Sequence, residues 1–177
     1  LLTSEDGKER VTLMDEAILQ DDQNKVGKLE QAFEKRWGRS LDPISLAILA
    51  GWSNKFGDLN RTQAALTGDH AGMTVGDATQ SPRTGDILNY LAAQKFFRGG
   101  ETKEEREQGK KRYLNHLEAL AAGIAETVRS GLMRPDEILS ADLLALNQRL
   151  QDAGSKVRLK LAGTRSVGIH NDRDVDG

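Results

Sequence analysis

Apolar residues recur at spacings of three and four through most of the chain, the period of an amphipathic α-helix. Val26, Leu29, Phe33 and Trp37 form one such stripe, opened by Asp21 and Asp22 and stopped at Gly38, which predicts a helix over these residues. Asp42 before Pro43 restarts the pattern, because an aspartate caps free amides and the fixed φ of proline suits the first helical position. The helix that follows, from Pro43 to Lys55, carries Ile44, Leu46, Ala47, Ile48, Leu49, Ala50 and Trp52 on nearly every side. That is the pattern of a helix buried in the core. Upstream, Arg10 to Met14 reads as a short strand or as the lead into a helical turn over Met14 to Leu19, with helix the favoured reading.

A short helix is expected through Gln63, Ala64, Ala65 and Leu66, capped by Asp58 or Asn60, and then the period fails. Residues 68–84, GDHAGMTVGDATQSPRT, predict a long central loop joining two helical halves. Periodicity returns at Asp86 with Ile87, Leu88, Tyr90, Leu91, Phe96 and Phe97, a single helix broken by Gly99 and Gly100. Thr102 to Glu105 fits a capping box. Glu104, Glu105 and Glu107 before Lys110, Lys111 and Arg112 complement the helix dipole and predict a Glu107–Lys111 pair. Tyr113, Leu117, Leu120, Ile124 and Val128 continue this long helix as one stripe up to Ser130 and Gly131. Gly109 inside it costs about 1 kcal/mol relative to alanine and predicts a bend or frayed first turns.

Pro135 to Glu137 opens a turn, and Ser140 is the expected cap of a last helix bearing Leu143, Leu144, Leu146 and Leu150 up to Gly154. Val157, Leu159 and Leu161 alternate with Arg158 and Lys160, the one strand signature, for which Arg10 to Met14 is the available partner. The expected fold is therefore mainly α: a single-domain bundle of about five to seven helices over residues 1–162, with a long central loop and one minor strand pair. Residues 163–177 read as a flexible acidic tail.

Composition narrows the function. Lys and Arg number 25 against 27 Asp and Glu in 177 residues, so the basic excess of a nucleic-acid-coating protein is missing and no nucleic-acid partner is expected. The charged fraction of 29% also argues against a membrane span. With no cysteine, disulfides, thiolate metal sites and cysteine nucleophiles are excluded. The first residues have neither an initiator Met nor the layout of a signal peptide. Leu1 reads as a cut point, and the expected source is a larger bacterial protein, cytoplasmic or exported.

Chemistry-bearing motifs are sparse. His70, His116 and His170 are scattered, and no HExxH, phosphate-binding loop or GxSxG elbow occurs. His116 lies one position off the apolar stripe and is expected to be a solvated flank residue. Asp69 and His70, between Gly68 and Gly72, are with Asp77 the catalytic candidates of the central loop, an acid–base set awaiting a pocket. At the C-terminus Asp172, Asp174, Asp176 and Gly177 reproduce the DxDxDG opening of an EF-hand loop. Three carboxylates at alternate positions converge on a calcium ion there, but the later ligands of a full loop are missing. These residues read as half a calcium site or as an ordinary acidic tail. Asp58 to Asp69 mimics the same spacing, with Gln63 in place of the glycine, and reads as helix capping.

The run LEQAFEKRWGRSL from Leu29 to Leu41, preceded by Asp15, Glu16, Ile18 and Leu19, resembles the second and first helices of an annexin repeat. The resemblance implies helices over this short stretch. The family's GxGT calcium loop is absent and no later repeat follows, so its membrane-binding role is not carried over. The leading reading is a non-enzymatic protein-interaction or scaffold module with a protein partner and no cofactor. The alternatives are a hydrolase using Asp, Glu or His around residues 68–84, and a calcium-responsive domain cut within an EF-hand-like loop.

Overall fold

The computed structural model describes residues 26–56, 60–68 and 80–166, and the fold is 70% helical among them, with seven α-helices and no sheet. Helix α1 covers residues 26–37 and ends at Gly38, whose φ of 72° is the left-handed stop that glycine adopts without a Cβ clash. Helix α2, Pro43–Phe56, begins as the Asp-Pro signal predicts: the Asp42 carboxylate accepts the Ser45 amide at 2.8 Å. Helix α3 is Asn60–Thr67. It is tied to α1 by the Trp37 indole, which donates to the Leu66 carbonyl at 2.8 Å, and by Arg36, which donates to the Thr67 carbonyl at 3.2 Å.

The single helix expected from Asp86 to Phe97 is instead two, α4 over Thr84–Ala92 and α5 over Lys95–Arg98. Gln94 takes an extended conformation between them and donates its side-chain amide to the Tyr90 carbonyl at 2.9 Å, so one carbonyl freed near the end of α4 gains a partner. The break turns Phe97 inward. Its ring meets Trp52 at 5.8 Å, Tyr113 at 5.5 Å and His116 at 5.1 Å.

Helix α6, Lys103–Arg129, receives α5 across its first half. Thr102 caps it by accepting the Glu105 amide at 3.1 Å, whereas the Glu105 carboxylate lies against Gly100 and the reciprocal half of the capping box is not made among the described residues. Gly109 does not interrupt α6. It is buried, and a Cβ there would lie 2.6 Å from the Phe97 carbonyl oxygen and 2.7 Å from the Gly99 nitrogen. The glycine is the seat on which α5 crosses α6, and its entropy cost is exchanged for that contact. Glu107 pairs with Lys110 at 3.5 Å, one residue short of the expected Lys111.

A 3-10 turn, Pro135–Glu137, leads into helix α7, Ser140–Asp152. Leu139, not Ser140, holds the cap position and makes no side-chain cap. Ser140 instead meets Thr164 hydroxyl to hydroxyl at 3.0 Å, and its amide donates to the Arg165 carbonyl while the Arg165 amide donates to the Ile138 carbonyl. This isolated parallel bridge of Leu139 and Arg165 fastens residues 164–165 onto the start of α7. The strand pair is absent among the described residues, and Arg10 to Met14 lie outside them. α2 packs between α4 and α6, α7 packs on α4 and α6, and α5 on α6. The core runs through Phe33, Ile48, Leu88, Leu117, Leu146 and Leu150.

Candidate functional site

The candidates Asp69, His70 and Asp77 of the central loop, and Asp172, Asp174 and Asp176 of the tail, lie outside the described residues. Among the described residues no group of three or more His, Asp or Glu converges as a metal site would, and no helix is long and apolar enough to cross a membrane. His116 is not the solvated flank residue expected of it. It is half-buried and packs on Phe97, because α5 folds back over that face of α6.

Three features remain. The first is a buried polar node where α2, α4 and α7 meet. Asp42 Oδ2 accepts the Ser45 hydroxyl at 2.7 Å, and Oδ1 accepts the Thr84 hydroxyl at 2.8 Å. Arg39 donates to Ser81 Oγ at 2.8 Å and to the Pro82 carbonyl, with its guanidinium 5.0 Å over the Phe33 ring. Asp142 enters from the first turn of α7 with only 6% of its surface exposed, and its Oδ2 has no hydrogen-bond partner among the described residues. Burial, and next the negative charge of Asp42, push the Asp142 carboxyl up to about 6, against the opposing pull of Thr84, Arg83 and Arg39. Burial and the neighbouring Arg83 lower the Arg39 pKa. A carboxyl raised toward neutrality beside a second carboxylate is a pattern of acid–base sites. It is equally the pattern of an ionic fastening that holds three helices.

The second feature is an apolar groove of about 510 Å³ between α2 and α6. Ala47, Ala50 and Gly51 form one wall, and Ala119, Leu120 and Gly123 belong to the other. Small side chains on both helices leave the space open. Neither Asp42 nor Asp142 lines it.

The third feature is the outer side of α7 with the segment that follows it. Leu144 is 61% exposed and Val157 42% exposed, and Leu144 stands between shallow grooves of about 280 and 350 Å³. Residues 155–161 form no helix, turn or sheet. The Asn147 side chain clamps this segment, its Nδ2 donating to the Leu159 carbonyl at 2.8 Å and its Oδ1 accepting the Leu159 amide at 2.8 Å. One side-chain amide reaches both groups of a residue only where they point the same way, as in a β-strand. Leu159 is thereby seated in the core at 5% exposure, while Lys156, Arg158 and Lys160 are exposed.

Comparison of the chain with protein-family models, curated proteins and solved structures finds no match. What the fold defines is its class, a mainly α-helical bundle. Sequence reasoning missed Asp142 and Asn147, since an acid in a first turn and an asparagine at mid-helix suit a solvated helix equally well. Leu144 groups with Leu143, Leu146 and Leu150 in the sequence as an apolar residue of this helix, whereas it stands 61% exposed.

Proposed function

We propose that this chain is a non-enzymatic protein-binding module of a larger, bacterial protein. The observation that supports this reading is the apolar groove between α2 and α6, open to solvent, lined mainly by small and aliphatic residues, with His116 as its one titratable side chain and no carboxylate among its lining residues. Apolar grooves of this kind can seat a segment of a partner protein. The test is affinity capture with the chain followed by mass spectrometry, run beside Gly123→Arg. A Cβ at Gly123 meets nothing within 4 Å, so the arginine fills the groove without displacing the core. A protein held by the native chain and lost with Gly123→Arg supports the module. No specifically held protein, or the same set held by both chains, contradicts it.

A hydrolase remains the second reading, favoured by one observation: Asp42 and Asp142 meet Thr84 at the C-terminal end of the central loop, with Asp142 raised to about 6. It is the weaker one. Both oxygens of Asp42 are engaged by Ser45 and Thr84, and neither carboxylate lines any of the three grooves above.

A further inference from the structure

The Asn147 clamp dictates what the other edge of residues 156–160 presents. The amide N–H of Leu159 shares a peptide unit with the Arg158 carbonyl, and the Leu159 carbonyl shares one with the Lys160 N–H. With no cis peptide among the described residues, each pair is anti across its planar unit. The Arg158 carbonyl and the Lys160 N–H therefore point away from α7, and neither has a hydrogen-bond partner among the described residues. An acceptor and a donor flanking one extended residue are what an incoming strand pairs with.

The charge beside this edge is as one-sided as its hydrogen bonding. Lys156, Arg158 and Lys160 are exposed, and none has an ion-pair partner among the described residues. They stand in a chain whose net charge is −2. In extended backbone such alternate residues share one side at intervals of about 7 Å, the spacing of alternate side chains on a partner strand. Exposed Leu144 and Val157 supply apolar surface next to them.

We propose that the outer edge of residues 156–160 captures an acidic, extended peptide segment of a partner protein by strand addition. This rests on the reading of the chain as a protein-binding module and names the partner's chemistry at a surface separate from the α2–α6 groove. A phosphate backbone meets the same cations, but it offers no donor to the Arg158 carbonyl. A peptide backbone offers both a donor and an acceptor, and that favours the peptide.

Fluorescence anisotropy with a labelled alternating Glu-Val peptide tests the assignment. Saturable binding is expected, weakened about tenfold or more in a variant carrying Lys156→Gln, Arg158→Gln and Lys160→Gln. Binding is also lost when alternate amides of the peptide are N-methylated, which keeps every charge and removes the backbone donors. Circular dichroism and melting temperature of the triple variant stay at the native values, because only exposed side chains change. Gly123→Arg leaves peptide binding unchanged, so failure at the edge and failure at the groove are read separately. Absence of saturable binding, or equal binding of the N-methylated peptide, overturns the proposal. Tighter binding of a thymidine oligonucleotide overturns it too, and assigns the cations to phosphate instead.

Discussion

The two ends of α7 treat charge in opposite ways. At its first turn, Asp142 is buried beside Asp42, Thr84, Arg39 and Arg83, with charges of both signs around it from the segments before α2 and α4. Past its last turn, Lys156, Arg158 and Lys160 stand in solvent with no ion-pair partner among the described residues. Sealing the first set couples three helices. The second couples nothing among the described residues, and exposed charge of this kind adds little to the stability of the fold. Charge at one end of the helix is enclosed by the fold, whereas charge at the other stands open to the partner proposed above.

The contrast breaks first at Asp42. Asp42→Ala removes the cap of α2 and the carboxylate that most favours the Arg39 cation, with an expected loss of about 2–4 kcal/mol in denaturant unfolding. A loss below about 0.5 kcal/mol would mean that the node is not a fastening.

Asp142 gives the next effect, read against pH. Its folded pKa of about 6 lies above the ordinary value of 3.8, so the folded state binds the extra proton. The stability linked to it is complete below about pH 4 and is lost as pH rises through 6. The interval corresponds to at most about 3 kcal/mol. Asp142→Asn should flatten this part of the stability profile and match or exceed the native melting temperature at pH 7.5. A native-like slope in the variant would assign the titration to another group.

Gly109→Ala sets two local effects against each other. Helix propensity favours alanine by about 1 kcal/mol, but its Cβ would press on the Phe97 carbonyl and Gly99. A net destabilisation of about 1–2 kcal/mol is expected, and a gain in stability would show that α5 gives way without cost. The smallest effect belongs to the open end: the triple Gln variant at residues 156, 158 and 160 should unfold within about 0.5 kcal/mol of the native chain.

The elements most legible in the sequence were those whose signals are local. Asp42-Pro43 placed α2, Thr102 placed the start of α6, and the stripe through Leu117 and Ile124 placed its buried face. The break between α4 and α5 was not legible, because no glycine or proline interrupts the apolar period at Ala93 and Gln94. Gly109 was read as a helix weakness because its reason is the backbone of α5, ten or more residues away. At the candidate surface, the alternation of Val157, Leu159 and Leu161 suggested a strand with a strand partner, and the structure gives strand-like hydrogen bonding at Leu159 alone. The partner found is a single side chain, Asn147, which periodicity does not reveal.

Amide hydrogen exchange at two adjacent residues tests the central claim most directly. In the free chain, the Leu159 N–H, held by Asn147 at 2.8 Å, should be protected, while the Lys160 N–H should exchange at nearly the rate of an unstructured peptide. Addition of the acidic peptide should slow Lys160 and leave Leu159 little changed. A Lys160 amide already protected in the free chain would contradict the account, because the edge assigned to a partner would then be covered.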